Sequence, residues 1–436
     1  MAAEYKVEII KRETIKPSSP TPPHLKIYQL SVLDQLQPVV YGQVVYFYPK
    51  NDISSERRSH RLRKSLSESL ARFYPIAGRI NSSTIDCNDE GAQYIEARFN
   101  GLLSTFLDQS AFSSTVLQPF LVAKMESPES GTWPQLLVQA TFFDCGGLAV
   151  GICMSHKFAD ATTMGIFMKS WAETSNGSGQ TVFPEFNGAS YFPLIELSVQ
   201  RPAVELKKVD SVMKRYVFDK PKILELKAKT AGDSVQQPTR VEVVTALILK
   251  CVMGASRSNP GSPKKYALTQ SMNIRKRVDP PLPENLVGNV VGYFAVRTEE
   301  HHEEPALRDL VALLRKGIRE FTEKKAKRLR EDDASAVICR DLQEAAELIR
   351  SEDTKVLIFT SLCNFQLYEA VDFGWGKPIW VTVPASESHS NVVTLMDTRG
   401  GGVEAWVTLT KEDMASFERD PDLLAFAYLS TKNSAV

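Results

Sequence analysis

Of the six histidines in this 436-residue chain, one stands where proton transfer would be useful. His156 follows the apolar run from Phe142 to Cys153 and precedes a helical pattern. A side chain at the end of a buried strand is rigidly held yet can open into a cleft, a position suited to a general base. The other five have poorer settings. His24 lies in a Pro-rich stretch, His60 in a basic helix, His301 and His302 at the head of an acidic run, and His389 in a Ser/Glu loop. Asp160 follows His156 at a spacing of four, which on one helical face would make a His–carboxylate pair that orients the ring. The same spacing fits a buried histidine beside a helix-capping aspartate, and spacing alone leaves both readings open.

Two further groups of residues could carry chemistry. In Val371-Asp372-Phe373-Gly374-Trp375-Gly376, two glycines flank a tryptophan, which suits a sharply turned loop pinned by an aromatic anchor. It contains no good nucleophile or base and reads as a structural turn, in which Asp372 would need a partner if buried. In Asn273-Ile274-Arg275-Lys276-Arg277, the two arginines alternate, so an extended segment would turn them to opposite sides. One of them reads as the partner of an internal carboxylate. No Gly-x-Ser-x-Gly elbow, phosphate-binding Gly-x-x-x-x-Gly-Lys-Ser/Thr loop, His-Glu-x-x-His pair or closely spaced cysteine pair occurs, which disfavours elbow-serine hydrolases, P-loop enzymes and zinc enzymes.

The elements that must position these residues are legible in the periodicity. Val44 to Tyr48 reads as a buried strand ending at Pro49, and Thr141 to Ser155 as the strongest strand of the first half. Leu62, Leu66, Leu70 and Phe73 mark a helix stopped by Pro75. A helix is predicted from about Asp160 to Glu173, with Asp160 suited to its start. From Ser175 to about Lys214 the chain is rich in Gly, Ser, Pro and Asn and reads as a crossover. Thr239-Arg-Val-Glu242 fits a capping box, and Leu307 to Phe321 an amphipathic helix. Asp397 to Gly402 reads as a hairpin turn between two strands. Strands mixed with helices in both halves argue an α/β or α+β protein of two similar-sized domains. The boundaries are 1–195, carrying His156, a crossover at 196–214, and 215–436, carrying the Asp372–Gly376 loop.

Bulk properties narrow the class. With 52 basic and 52 acidic residues the net charge is zero, so no electrostatic reason exists to bind nucleic acid or an anionic membrane. The basic run Lys324 to Arg330 then reads as a solvated helix end. No apolar run approaches the roughly 20 residues of a membrane span, and the first residues lack a signal-peptide core. The six cysteines show no paired spacing and read as reduced thiols, with no disulfide and no metal site. The expectation is a cytoplasmic protein, with nothing to suggest more than a monomer.

Ser155-His156-Lys157-x-x-Asp160 and Asp372-Phe-Gly-Trp-Gly376, in that order and about 210 residues apart, together resemble the plant BAHD acyltransferases. Leu33-Asp34-Gln35, Phe73 to Arg79, Asn273 to Pro283, Gly288-Asn289 and Asp397-Thr-Arg399 extend the resemblance over nearly the whole chain. Ser18 to Pro22, Asp144-Cys-Gly-Gly147 and Glu404-Ala-Trp406 are most similar to the branch that acetylates alkaloids.

The resemblance implies two chloramphenicol-acetyltransferase-like domains, each a mixed sheet flanked by helices, with a solvent channel between them. A segment around 360–385 would pack with the first domain. The implied reaction is acyl transfer from acyl-CoA, most simply acetyl-CoA, to a hydroxyl of a specialised metabolite such as a polycyclic alkaloid. There would be no acyl-enzyme and no permanently bound cofactor. His156 would be the base, and Asp160 would point away and pair with Arg275. Asp372, Gly374, Trp375 and Gly376 would shape the CoA side. Transfer to an amine, and an idle family member acting as a binding protein, are the alternatives. One departure stands out. Where family members often read Thr-Ser-Trp, this chain has Thr360-Ser361-Leu362. Leucine donates no hydrogen bond, so Thr360 would serve a developing oxyanion alone, and Leu362 would enlarge the acceptor side.

Overall fold

The computed structural model describes residues 6–108, 114–127, 132–178, 183–194, 210–257, 265–298, 305–331, 333–351, 353–384 and 390–429. His301, His302, His389 and most of the expected crossover, residues 196–209, lie outside them.

Two mixed sheets carry the chain. The first runs β1 (Val7–Ile15), β6 (Ala92–Phe99), β7 (Leu136–Phe143), β8 (Leu148–Ser155), β3 (Tyr41–Tyr48) and β13 (Trp380–Thr382). The second runs β11 (Val291–Arg297), β10 (Lys265–Asn273), β12 (Thr354–Ser361), β14 (Val392–Asp397), β15 (Val403–Thr410), β9 (Ser211–Phe218) and β16 (Tyr428–Leu429). A small third sheet joins β2 (Ile27–Gln29), β5 (Thr84–Asp86) and β4 (Arg79–Asn81).

The long apolar stretch through residue 155 is two strands rather than one. Asp144-Cys-Gly-Gly147 reverses the chain, with Gly146 at φ +85°, so that β7 and β8 pair antiparallel. The turn is hidden from periodicity because both strands are buried at every residue, leaving no polar alternation. One face of this sheet is covered by the helices Ser55–Arg72 and Ala161–Asn176, joined by the Trp171 indole N–H donating to Ser65 Oγ at 3.0 Å. On the other face the chain at Phe120 and Ala123 presses in, and Gln43 Nε2 donates to the Ala123 carbonyl at 2.7 Å.

In the second sheet, Val403, Ala405, Val407 and Leu409 of β15 join a core with the helices Arg240–Arg257 and Leu307–Lys324, while Trp406 faces the other way into the first core. The expected capping box is present: Thr239 N–H donates to Glu242 Oε2 at 2.7 Å, and Glu242 N–H to Thr239 Oγ1. Strand character, expected to restart at Val212–Phe218 where the crossover ends, is β9, and alternation there carries Met213 and Arg215 inward. The strand β13 comes from the far half of the chain yet pairs with β3, and Trp380 stacks on Phe47 at 5.1 Å.

Gly151, in the middle of β8, marks the closest approach: a Cβ there would lie 1.9 Å from the Phe120 carbonyl oxygen. Gly151→Ala therefore forces backbone apart, and we expect a loss of roughly 1–3 kcal/mol, read as a lower urea midpoint at unchanged slope. An unaltered midpoint would contradict this packing.

Candidate active site

His156 leaves the end of β8 half-buried, its backbone N–H bonded to the Val40 carbonyl at 2.9 Å. Lys157 beside it donates from Nζ to the carbonyls of Gln35 and Gln37. The ring Nδ1 lies 3.1 Å from Asn289 Oδ1. The Asn289 amide has one consistent orientation, because Nδ2 is engaged by two acceptors, Asp34 Oδ1 at 2.9 Å and the His156 carbonyl at 2.8 Å. Its oxygen therefore faces the imidazole, and the ring Nδ1–H donates to it.

Asn289 is in turn held by two buried carboxylates. Asp34 Oδ1 accepts the Asn289 backbone N–H at 2.7 Å, and Asp160 Oδ2 accepts that of Val290 at 3.1 Å. Gly288 between them exchanges hydrogen bonds with the Thr163 hydroxyl at both its N–H and its carbonyl. Gly288 has φ +127°, a conformation that favours glycine. Burial pushes the Asp34 carboxyl above the ordinary carboxylate range, with the Ser31 and Asn289 donors only partly offsetting it.

Asp160 caps the helix Ala161–Asn176 through the Thr163 N–H at 2.7 Å and forms a two-pronged pair with Arg275, Nη1 to Oδ2 at 2.7 Å and Nη2 to Oδ1 at 3.2 Å. Both side chains are 2% exposed. Burial alone would raise the Asp160 carboxyl, but the Arg275 charge and hydrogen bonds, with the Thr163 and Val290 N–H groups, hold it below its usual range. Arg275 also donates to the carbonyls of Leu286 and Gly288. Residues 275–277 form a turn after β10, not the extended segment expected, because Arg277 N–H and Val278 N–H both return to the Ile274 carbonyl. Arg277 instead reaches the Asn273 carbonyl from Nη1.

The Asp372 loop sits at the opposite end of the same helix, about 24 Å along it for 16 residues. Asp372 Oδ1 accepts the N–H groups of Gly374 and Gly376, both glycines at φ near +98° or just below. Ser175 and Asn176 donate to the carbonyls of Phe373 and Asp372, and Phe373 packs on Trp171 at 4.9 Å and on Trp375 at 5.4 Å. Thr360 lies half-buried on β12 opposite Thr394, with no side-chain hydrogen bond among the described residues. Leu362, just past that strand, packs against the first core. No hydrogen bond joins either to His156.

A cavity of about 1290 Å³ opens between the helix Ala161–Asn176, β10, the helices Lys220–Thr230 and Leu307–Lys324, and the chain after β12. Its wall includes Thr162, Asn273, Arg275 and Ser361, but neither His156 nor Thr360. The wall is cationic: Lys169, Lys220, Lys227, Arg240, Lys276, Arg277 and Arg315 line it against Glu242 and Glu284. Arg240, Arg315 and Lys276 are paired with Asp397, Glu242 and Glu284. Lys220, Lys227 and Arg277 have no carboxylate partner among the described residues.

Asn289 and Asp34 were missed as site residues by sequence reasoning, although both fall in motifs noted there. They lie 133 and 122 positions from His156, so no local spacing could have joined them.

Comparison with known proteins agrees with the architecture. The Transferase family model matches residues 5–424. BAHD acyltransferase BIA1 of Arabidopsis thaliana is 37% identical over 439 residues, 98% of this chain and 99% of that one. Epi-neemfruitin B 7-O-acetyltransferase of Melia azedarach is 38% identical over 447 residues, 96% and 98% of the two chains. The chain belongs to the BAHD acyltransferase family. The crystal structure of vinorine synthase matches this acyltransferase with a TM-score of 0.83 at 33% identity, over 98% of this chain and 100% of that one. Among the described residues of this family member, no helix is long and apolar enough to cross a membrane.

Removing one partner of the Asp160–Arg275 pair leaves a buried charge uncompensated. Asp160→Asn is expected to cost about 3–5 kcal/mol in urea unfolding at neutral pH. The sign with pH follows from the depressed carboxyl: its stabilisation is complete above the ordinary aspartate value and is lost as pH falls through the folded-state value. The gap between wild type and variant should therefore narrow in acid; a constant gap would contradict the pairing.

Proposed function

We propose that this acyltransferase moves an acyl group, most simply acetyl, from acyl-CoA to a hydroxyl of a polycyclic specialised metabolite, with His156 as the general base. The observation that carries the reading is the imidazole held by Asn289, which leaves Nε2 as the basic atom. The acceptor O–H gives its proton to Nε2 while its oxygen attacks the thioester carbonyl. The tetrahedral intermediate collapses as the C–S bond breaks, and the imidazolium returns the proton to the departing CoA sulfur. Donor and acceptor meet in one ternary complex, so proximity supplies much of the rate.

The cationic cavity supports CoA as the donor, since Lys220, Lys227 and Arg277 suit its phosphates. The resemblance to a Melia azedarach 7-O-acetyltransferase supports acetyl transfer to an alcohol oxygen. Thr360 is the donor to the oxyanion, and Leu362 leaves apolar room on the acceptor side. Asp160 and Arg275 act on the scaffold, and the Asp372–Gly376 loop shapes the CoA side from a distance. The protein works as a monomer in the cytoplasm.

Incubation with acetyl-CoA and a panel of polycyclic alcohols and amines, with products identified by mass, tests the reading. Ester products with alcohols are expected; amide products alone, or no turnover with any acceptor, would overturn it. His156→Ala should lower kcat by about 10²–10⁴-fold with the fold retained. Leu362→Trp should shift acceptor preference towards smaller alcohols; unchanged preference and rate would remove Leu362 from the pocket.

A further inference from the structure

Asp34 is a fully buried carboxylate that the transfer chemistry leaves unused. Among the described residues it has no salt bridge, and its hydrogen-bond partners are all neutral donors. Oδ2 takes the Ser31 backbone N–H at 2.9 Å and the Ser31 hydroxyl at 2.7 Å, within the capping box that opens the helix Val32–Gln35. Oδ1 takes the Asn289 backbone N–H at 2.7 Å and its side-chain Nδ2 at 2.9 Å. A carboxylate accepts at about four lone-pair sites, and here all are filled. Burying an acid without a counter-charge is costly, and the helix cap accounts for Oδ2 alone. Oδ1 reaches 255 positions along the chain to the residue that holds His156.

An amide has nearly the same outline in its two orientations, so packing alone does not choose between them. With Nδ2 toward Asp34, the Asn289 oxygen faces the ring and Nδ1–H donates to it at 3.1 Å. Turned over, the amide would offer its NH2 to Nδ1, which would then have to accept, and the ring proton would sit on Nε2. The turned oxygen would also meet the Asp34 carboxylate, acceptor against acceptor, with the His156 carbonyl beside it. An ionised carboxylate has no donor with which to accommodate that arrangement. An amide at position 34 would have one.

We propose that Asp34 is a positioning residue for acyl transfer: its carboxylate fixes the sense of the Asn289 amide, which makes Nδ1 the donor and leaves Nε2 to face the acceptor hydroxyl. The inference rests on the reading of His156 as the general base. Neither Asp34 nor Asn289 takes up a proton in the reaction. Together they decide which ring nitrogen can. The chain of carboxylate, amide and imidazole joins residues 34, 289 and 156, so each link holds only in the folded protein.

Asp34→Asn keeps the volume and gives position 34 a donor that lets the Asn289 amide turn over. With acetyl-CoA and the best alcohol of the panel, kcat should fall about 10–100-fold while KM for both substrates stays within about twofold. In an Asn289→Ala background, Asp34→Asn should add no further loss, since it acts through Asn289. Nitrogen NMR of the histidine-labelled full-length protein, in mildly alkaline buffer, reads the ring directly. The His156 signals are those missing from His156→Ala. Wild type should carry its ring proton on Nδ1, and Asp34→Asn should move part of it to Nε2. A wild-type proton on Nε2 overturns the proposal without recourse to any variant. So does an Asp34→Asn protein with unchanged kcat, a fall in kcat with the wild-type spectrum, or a further loss in the double variant. Retained turnover in His156→Ala would instead remove the base, and with it the catalytic part of the proposal, while the spectrum would still decide the orienting part.

Discussion

The pair between Asp160 and Arg275 is the interaction on which the site's geometry rests. It joins the cap of a helix that lies on the first sheet to the turn that follows β10 of the second. Its cost is the removal of two charges from water, and the geometry answers that cost fully. Both carboxylate oxygens meet the guanidinium, and Thr163 and Val290 supply further N–H donors. A hydrophobic pair of equal volume could hold the two units together as tightly. It could not also pin the Val290 N–H and the Gly288 carbonyl, and those contacts aim Asn289 at His156.

The pattern around residues 288–290 is a strap gripped from two sides. Asp34 comes from the first quarter of the chain and Asp160 from the second, and each takes one backbone N–H of a segment in the third. The two carboxyls are not electrically alike. Asp160 is held low by a full counter-charge, whereas Asp34 has only neutral donors and is pushed up by burial. The strap thus has one anchor with a full counter-charge and one held by neutral donors alone.

How much of this was legible beforehand divides by distance. Local devices were readable from residue types: the capping box at Thr239, the Asp160 cap, the glycine turn at Asp397–Gly402 and the amphipathic helix from Leu307. The Asp144–Gly147 turn was lost inside an apolar run because strands buried on both faces show no alternation. Arg275 and Arg277 were misplaced on an extended segment because the returning hydrogen bonds to Ile274 leave no trace in composition. The contact between His156 and Asn289, and the cationic cavity, arise from chain crossings that only the folded topology brings about.

The strand β13 bears on how this architecture could be divided. It supplies the outermost strand of the first sheet from residues 380–382, and Trp380 completes the aromatic stack on Phe47. A fragment ending after the first unit would leave β3 with a bare row of backbone N–H and C=O groups, flanked by the unstacked Phe47 ring. The two halves are thus laced in both directions, and gene fragments encoding them would be expected to yield insoluble pieces rather than exchangeable modules. Recombining halves from different relatives would have to carry residues 367–383 with the first half, against the order of the chain.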